Sequence, residues 1–382
     1  MTGASRIGAA FREQAQRLRA WRLRGTSLAI SVALGIASGA QATSFYDEPL
    51  GLRLLLTLDR QSNYAATLGR QASVAFLGGG SANPAANGWT RRHGQPPSVL
   101  ATYVDAPSVG GRRVVAAPVT VQWSLPEGAS LFAAYAYTDT PDPTGDNGLN
   151  YLLRSNEWTL GYGGWVAPDV RLGATARFVD GKFVSESYAP ALAGQLVAAD
   201  TDLHGPDIAL GIAKKVSSDL SIGLAAVIGW TSTATTATLP RGAVVPGPGG
   251  SGGVTLPSGA IVDVFADPVR SVAVRGGIGY RSSERFGLYA DAIYNALDSE
   301  RFGSLSLGRL VAGAECQPHE NVTVRAGVSI DTEREVNVSA GLGLRLGPGA
   351  EVQLAYQNNA APELNPEFGR TRLLSGSIAL RW

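Results

Sequence analysis

Apolar and polar residues alternate along most of this chain, in stretches of about ten residues that run from about Val99 to Trp382. Between Leu220 and Trp230, every second position is Leu, Ile, Ala or Trp, and the positions between are mostly Ser, Gly and Ala. Successive side chains of a β-strand point to opposite faces, so this pattern predicts strands with one apolar face. Trp382 places an aromatic residue at the end of the last such strand.

The links between these stretches alternate between short turns, such as Ser217–Ser218, and longer segments, such as Asp180–Gly205 and Thr231–Pro268. Short periplasmic turns and longer outer loops are typical of barrels of the bacterial outer membrane. We therefore predict an all-β fold, a transmembrane antiparallel β-barrel of about fourteen strands. A break in the alternation near Gly308 predicts a bulge. The predicted strands lie over 98–105, 112–124, 129–138, 153–164, 169–179, 206–216, 219–230, 269–281, 285–295, 304–316, 321–330, 334–346, 350–358 and 371–382.

Composition and end aromatics favour a barrel over a soluble β-sandwich. Only 16% of the residues are charged, whereas soluble domains carry about 25%. No stretch reaches the roughly 18 consecutive apolar residues of a membrane helix. Tyr and Trp form girdles at both membrane interfaces of such barrels. Aromatic residues end several strands on their apolar face: Tyr162, Trp230, Tyr280, Tyr294, Tyr356 and Trp382.

Residues 1–42 are predicted to be a signal peptide. They contain six Arg residues, an apolar stretch over Ser27–Ala40 and the cleavage site Ala40-Gln41-Ala42. This segment holds six of the 32 basic and one of the 31 acidic residues, so the mature chain carries 26 basic and 30 acidic residues, a net charge of about −4. No basic face for nucleic acid is indicated, and we expect none as a partner.

Charged residues of both signs fall on the inward face of the predicted strands. Such residues can hold a plug by salt bridges, set ion selectivity, or pair across strands and stabilise the wall alone. The predicted lumen-lining residues are Glu157, Arg171, Arg177, Arg275, Arg281, Asp291, Arg325, Arg345, Glu351 and Arg381.

Residues 43–97 precede the strands and are too long for a frayed terminus, so we predict a plug that folds back into the barrel formed by 98–382. The segment contains Leu68-Gly69-Arg70 and, further on, Ser81-Ala82-Asn83-Pro84-Ala85. Asn before Pro favours an extended or turn conformation. An ordinary surface turn at Asn83-Pro84 is the other interpretation.

With these two motifs, about fourteen strands and a terminal aromatic, the chain resembles the FadL-type outer-membrane transporters of long-chain fatty acids and aromatic hydrocarbons. The resemblance implies that Asn83, Pro84 and Ala85 belong to a hatch that plugs the lumen. It also implies that a hydrophobic substrate leaves sideways through the barrel wall, into the surrounding lipid. Passive uptake of hydrophobic small molecules by a monomer, without a cofactor, is the expected function.

Two other functions stay open. The glycine-rich segment between Arg70 and Asn83 suits a structural barrel that anchors a secretion or surface complex, and a general diffusion porin would instead need a wide, hydrated pore. An enzyme is not expected, because His93, His204 and His319 are widely separated and no G-x-S-x-G or H-E-x-x-H motif occurs. The same scarcity of ligands predicts no metal site.

Overall fold

The computed structural model describes residues 84–86, 98–109, 112–140, 151–189, 195–238, 244–246, 253–255, 261–283, 285–300, 303–359 and 372–381. The predicted signal peptide 1–42 lies outside these residues. So does the predicted plug segment 43–97, apart from the 3₁₀ turn Pro84–Ala86.

Fourteen antiparallel strands close into one barrel, which confirms the predicted fold class. Two further short strands, β8 and β9, pair only with each other. The strands are β1 (Ser98–Val109), β2 (Arg112–Ser124), β3 (Ser130–Asp139), β4 (Tyr151–Ala167), β5 (Val170–Ala189), β6 (Gln195–Lys215), β7 (Leu220–Thr238), β8 (Val244–Pro246), β9 (Gly253–Thr255), β10 (Ile261–Ser283), β11 (Phe286–Ser299), β12 (Gly303–His319), β13 (Val322–Asp331), β14 (Val336–Arg345), β15 (Ala350–Asn358) and β16 (Arg372–Arg381).

Each barrel strand pairs with its neighbour in the chain, and β1 closes the barrel by pairing with β16, from Ser98 opposite Arg381 to Asp105 opposite Leu374. One rim carries the tight connections, such as 216–219 and 346–349, and we call it the short-turn rim. The other, the long-loop rim, carries the connection between β7 and β10. Among the described residues, no helix is long and apolar enough to cross a membrane.

The barrel exterior is an apolar band. On β7, Ile222, Leu224 and Ile228 are 42%, 51% and 45% exposed on the outside, whereas Ala225 between them is 2% exposed. Trp230 lies ten positions after Leu220. At a rise of about 3.3 Å per residue and a strand tilt near 40°, this segment spans about 25 Å along the barrel axis. An exposed apolar surface of this height matches the lipid-facing band of a membrane barrel.

Several strands extend beyond the band on one side. β5, β6, β7 and β10 contain 20, 21, 19 and 23 residues, whereas β13, β14 and β15 contain 10, 10 and 9. The sequence pattern ended the predicted strands at Val179, Pro206 and Trp230, so the predicted loops 180–205 and 231–268 are wrong over much of their length. Above the lipid an outer face has no reason to be apolar, and the alternation stops although the hydrogen bonding continues.

The bulge predicted near Gly308 is also wrong. β12 keeps one register against β11 from Gly303 to Cys316, and the shift lies beyond Cys316, toward the short-turn rim. The apparent break in phase has a different cause: Leu307 faces the interior, 4% exposed, although Leu310 faces lipid. On β12, the apolar residues therefore lie on the outer face within the band and on the inner face beyond it.

The β13–β14 connection is short although it lies at the long-loop rim. The Asp331 carboxylate accepts hydrogen bonds from the backbone N–H groups of Glu333 (3.0 Å) and Glu335 (2.9 Å), and Arg334 adopts a left-handed φ of 65°. An aspartate that bonds the following backbone stabilises a tight turn. The barrel wall therefore extends less far toward the long-loop rim at β13 and β14 than at the longer strands.

We expect Leu224→Arg to destabilise the barrel by about 2–4 kcal/mol, because the guanidinium would face lipid near the middle of the band. Ala234→Arg on the same face of β7 lies four residues beyond Trp230 and is expected to cost under about 1 kcal/mol. Urea unfolding in lipid vesicles measures both. Equal losses in the two variants would contradict the position of the band.

Candidate functional site

Two clusters of buried charges lie on the inner face of the barrel. In the first, Arg177 on β5 lies between Glu157 on β4 and Asp207 on β6: its Nη1 is 3.2 Å from Glu157 Oε2, and its Nε and Nη2 both contact Asp207 Oδ2. The three side chains are at most 13% exposed. One cation thus joins three strands through two carboxylates, a charge-assisted arrangement that fixes the positions of these strands.

The second cluster has the same composition. Arg325 on β13 donates from Nε to Glu315 Oε2 on β12 at 3.1 Å, and its Nη2 lies 4.0 Å from Glu351 Oε1 on β15. Arg325 and Glu315 are both about 5% exposed. Again one arginine is placed between two carboxylates.

The structure places the other predicted lumen residues in two ways. Arg171, Arg275 and Asp291 are buried on the inner face. Arg281 and Arg345 are exposed close to the short-turn rim. The side chain of Arg381 lies outside the described residues, and so does Asn83.

Asp207 and Glu315 complete the two clusters and are not among the predicted lumen-lining residues. Asp207 follows Pro206 and alternates with Ile208, Leu210 and Ile212, so the pattern itself was sufficient to place it inward. Glu315 could have been found in the same way, because it is adjacent in sequence to the outward Cys316 and therefore faces inward.

Three glycine residues lie side by side on the inner face of β4, β5 and β6. Gly163, Gly173 and Gly211 are directly opposite one another across the three strands, and we call them the glycine seat. The turn Pro84–Ala86 contacts all three strands, and Ala85 is fully buried. A Cβ added to Gly173 would overlap the carbonyl group of Pro84. The seat thus allows the turn to approach the wall at backbone distance.

Arg171 lies beside the seat, two residues from Gly173 toward the short-turn rim. It is 0% exposed, its Nη2 donates to the Gly163 carbonyl at 3.0 Å, and its guanidinium lies 5.5 Å from the Trp165 ring centroid, within range of a cation–π contact. The predicted plug motif therefore contacts the wall, through Pro84 and Ala85, next to a predicted lumen residue.

The inner face changes character toward the long-loop rim. On β4, β5, β6 and β11, a buried apolar residue lies four to six positions farther toward that rim than the nearest buried or half-buried charged residue of the inner face. On β10 and β12 the buried apolar residue has closer charged neighbours, because Asp267 lies two positions from Val269 and Arg309 two positions from Leu307. We call these six residues the apolar layer: Leu153, Phe183, Leu203, Val269, Leu297 and Leu307.

The two charged clusters lie on the arc of strands from β4 to β15. The remaining part of the inner wall differs from this arc in its charge. The inner faces of β16, β1, β2 and β3, which we call the uncharged sector, present no Asp, Glu, Lys or Arg among the side chains described there. Val104, Ala116 and Leu373 pack together within it, at 3%, 5% and 7% exposure. Phe132 and Ala136 extend this apolar surface onto β3.

The ladder between β1 and β2 is interrupted within the uncharged sector. Ala101 pairs with Val119 and Val104 with Ala116, but the two pairs between them are absent. Those pairs need an N–H at Pro118, which proline lacks. Pro118 lies six residues from the short-turn end of β2, about 15 Å along the axis, inside the apolar band.

A second interruption lies at Pro206, between β6 and β7, at the upper edge of the band. There the Trp230 carbonyl lies against Gly205 and fills the space where a Cβ would be. The two prolines therefore leave different surroundings: the Trp230 carbonyl fills the space at Pro206, whereas Pro118 lies between the apolar Val104 and Ala116 on one side and the hydroxyls of Thr102 and Thr120 on the other.

The outer face above the band carries exposed polar contacts. Arg154 forms an ion pair with Asp139 (3.3 Å) and Lys182 with Asp200 (2.8 Å), and His204 Nδ1 lies within hydrogen-bond distance of Asp180 Oδ1 (2.9 Å). The hydrogen bond to Asp200 raises the pKa of Lys182. Within the described ranges no group of three or more His, Cys, Asp or Glu could hold a metal ion.

We expect Arg177→Met to lower the free energy of unfolding by about 3–5 kcal/mol, since it leaves two buried carboxylates without their cation. Lys182→Met on the same strand removes an exposed pair and is expected to cost under about 1 kcal/mol. Urea unfolding in lipid vesicles compares the two. A loss for Arg177→Met no larger than that of Lys182→Met would show that the buried cluster does not stabilise the wall.

No family model and no curated protein matches the sequence. Among solved structures, the chain is similar to the Pseudomonas putida toluene transporter TodX, with a TM-score of 0.52 and 13% identity over 83% of this chain and 96% of that chain. It is also similar to the monoaromatic hydrocarbon channel CymD (0.55, 14%, 81% and 94%) and to a Pseudomonas aeruginosa FadL homologue (0.55, 14%, 82% and 97%). At this identity the similarity concerns the fold, and this chain has the barrel fold that the resemblance to FadL-type transporters implied.

Proposed function

We propose that this protein is a monomeric channel of the bacterial outer membrane for passive uptake of hydrophobic small molecules, such as aromatic hydrocarbons or fatty acids. The observation that carries the proposal is the uncharged sector: an apolar inner wall whose hydrogen-bond ladder is interrupted, inside the lipid band, at Pro118. The short-turn rim would then face the periplasm and the long-loop rim the outside.

The proposed route begins in the apolar layer, where a hydrophobic molecule loses its water. Below this layer, the arc from β4 to β15 carries buried ion pairs, and the Pro84–Ala86 turn lies on the glycine seat. Both features oppose the movement of an apolar molecule straight down the barrel axis. The uncharged sector is the apolar alternative, and it leads to the Pro118 interruption and the surrounding lipid.

The names of the similar structures support this proposal. TodX is a toluene transporter and CymD a monoaromatic hydrocarbon channel. A general diffusion porin is less consistent with a turn seated inside the barrel and with an apolar layer. A scaffold barrel would have no use for an interrupted ladder beside apolar residues.

Uptake of labelled toluene and oleate tests the proposal, in cells that lack their own channel for hydrophobic substrates. We expect this chain to raise uptake of at least one compound, and Pro118→Ala to lower it by roughly fivefold. The new N–H can complete a ladder bond worth about 1 kcal/mol, which stabilises the closed wall.

Pro206→Ala is the matched control, because it restores an N–H at the interruption that the Trp230 carbonyl already fills. Its uptake should equal that of the unmodified chain at equal surface levels. Absence of uptake from a folded barrel would refute the channel, whereas normal uptake by Pro118→Ala would refute only the sideways route.

Gly173→Ala tests whether the seated turn obstructs the barrel. The added Cβ overlaps Pro84, and overpacking of this kind costs about 1–3 kcal/mol, so we expect openings in planar bilayers to become roughly tenfold more frequent. Gly341→Ala, also on the inner face, meets its nearest neighbours at an ordinary 3.5 Å and should leave the conductance unchanged. Identical traces for the two variants would show that the turn does not close the channel.

A further inference from the structure

Among the side chains described in the uncharged sector, none could serve as a counter-charge for an anion. Among its described inward side chains the polar groups are hydroxyls and amides, such as Thr102, Thr120 and Gln122, and none carries a positive charge. A carboxylate that leaves water without a counter-charge pays a desolvation cost of many kcal/mol, whereas a neutral hydrocarbon pays none.

The arginines on the opposite arc are already engaged. Arg177 contacts two carboxylates and Arg325 contacts two others, so each cluster holds one cation and two anions. Neither guanidinium is therefore available to pair with a passing anion.

Three further arginines are buried on the inner face of the described strands. Arg309 lies directly opposite Asp331 in the register of β12 and β13. Arg275 lies opposite Ile293, two residues from the inward Asp291. Arg171 is 0% exposed beside the glycine seat. All three lie on the arc from β4 to β15. The side chain of Arg381, which the sequence pattern places on the inner face of β16, lies outside the described residues.

Given the proposed uptake route, we propose that it selects by charge: it passes uncharged hydrophobic molecules and excludes anions of the same size, so that a carboxylic acid crosses only in its protonated form. The substrate class is then neutral hydrocarbons and aromatics, and fatty-acid anions are excluded. The uncharged sector makes this selection, because an anion can neither be paired nor remain hydrated there.

Three probes of nearly equal size test this selection in the uptake assay: toluene, p-toluenesulfonate, which stays anionic, and benzoate, which becomes neutral when acidified. At neutral pH we expect toluene to enter at least about tenfold faster than either anion, since a desolvation difference above about 1.4 kcal/mol is already tenfold. Benzoate uptake should rise as the pH falls, and toluenesulfonate uptake should stay low at every pH.

Toluenesulfonate entry at a rate close to that of toluene would overturn the selection by charge and leave the channel itself in place. Failure of all three probes to enter, at any pH, would instead refute the proposed function. These two failures give different results in the same assay.

Thr120→Lys adds a positive charge two residues from Pro118, on the inner face opposite Leu100. We expect it to raise toluenesulfonate uptake severalfold, which lowers the ratio of toluene to toluenesulfonate. Gln122→Lys repeats the test two residues farther along the same face, should the first variant not fold. An unchanged ratio in a folded variant would contradict the assignment of selection to this sector.

Discussion

Closure of the backbone hydrogen-bond ladder is the constraint on which the rest of this structure depends. A strand within lipid finds no water for its N–H and C=O groups, so a sheet can span a membrane only when its two edge strands pair. Here β1 and β16 provide that pairing over eight consecutive residue pairs. Every other feature of the wall must respect this requirement, and for this reason a proline inside the band is informative: Pro118 removes a ladder donor where such a loss is most costly.

The inner face divides this wall into two parts with different tasks. On the arc from β4 to β15, arginines placed between carboxylates tie strands to their neighbours. In the uncharged sector, packing of Val104, Ala116 and Leu373 replaces charge. Because an apolar contact is not directional, this sector can lose a ladder bond at Pro118 without leaving a buried charge unpaired. The interruption therefore lies where the wall tolerates it best.

The sequence was sufficient to predict all fourteen barrel strands, because lipid imposes an apolar residue at every second position of the outer face. It was insufficient beyond Val179, Pro206 and Trp230, where the strands leave the lipid and the outer face becomes polar while hydrogen bonding continues. Inward charges such as Arg177 and Arg325 were predictable by alternation. Their partners on adjacent strands were not all found, since a pairing depends on register, which one strand does not encode.

The glycine seat illustrates the same limit. Gly173 lies ten positions after Gly163, and Gly211 lies 38 positions after Gly173. Nothing in the sequence marks the three as a set, and the register alone brings them side by side. Pro84 and Ala85 pack against these three glycines, where the wall has no side chains, next to the buried Arg171.

The seat and the Pro118 interruption lie on different strands, with β3 between them. A change in the seated turn can therefore alter access along the axis without disturbing the ladder, and a change at Pro118 can alter the wall without unseating the turn. In the proposed channel, this separation would allow obstruction of the lumen and sideways release to be varied independently.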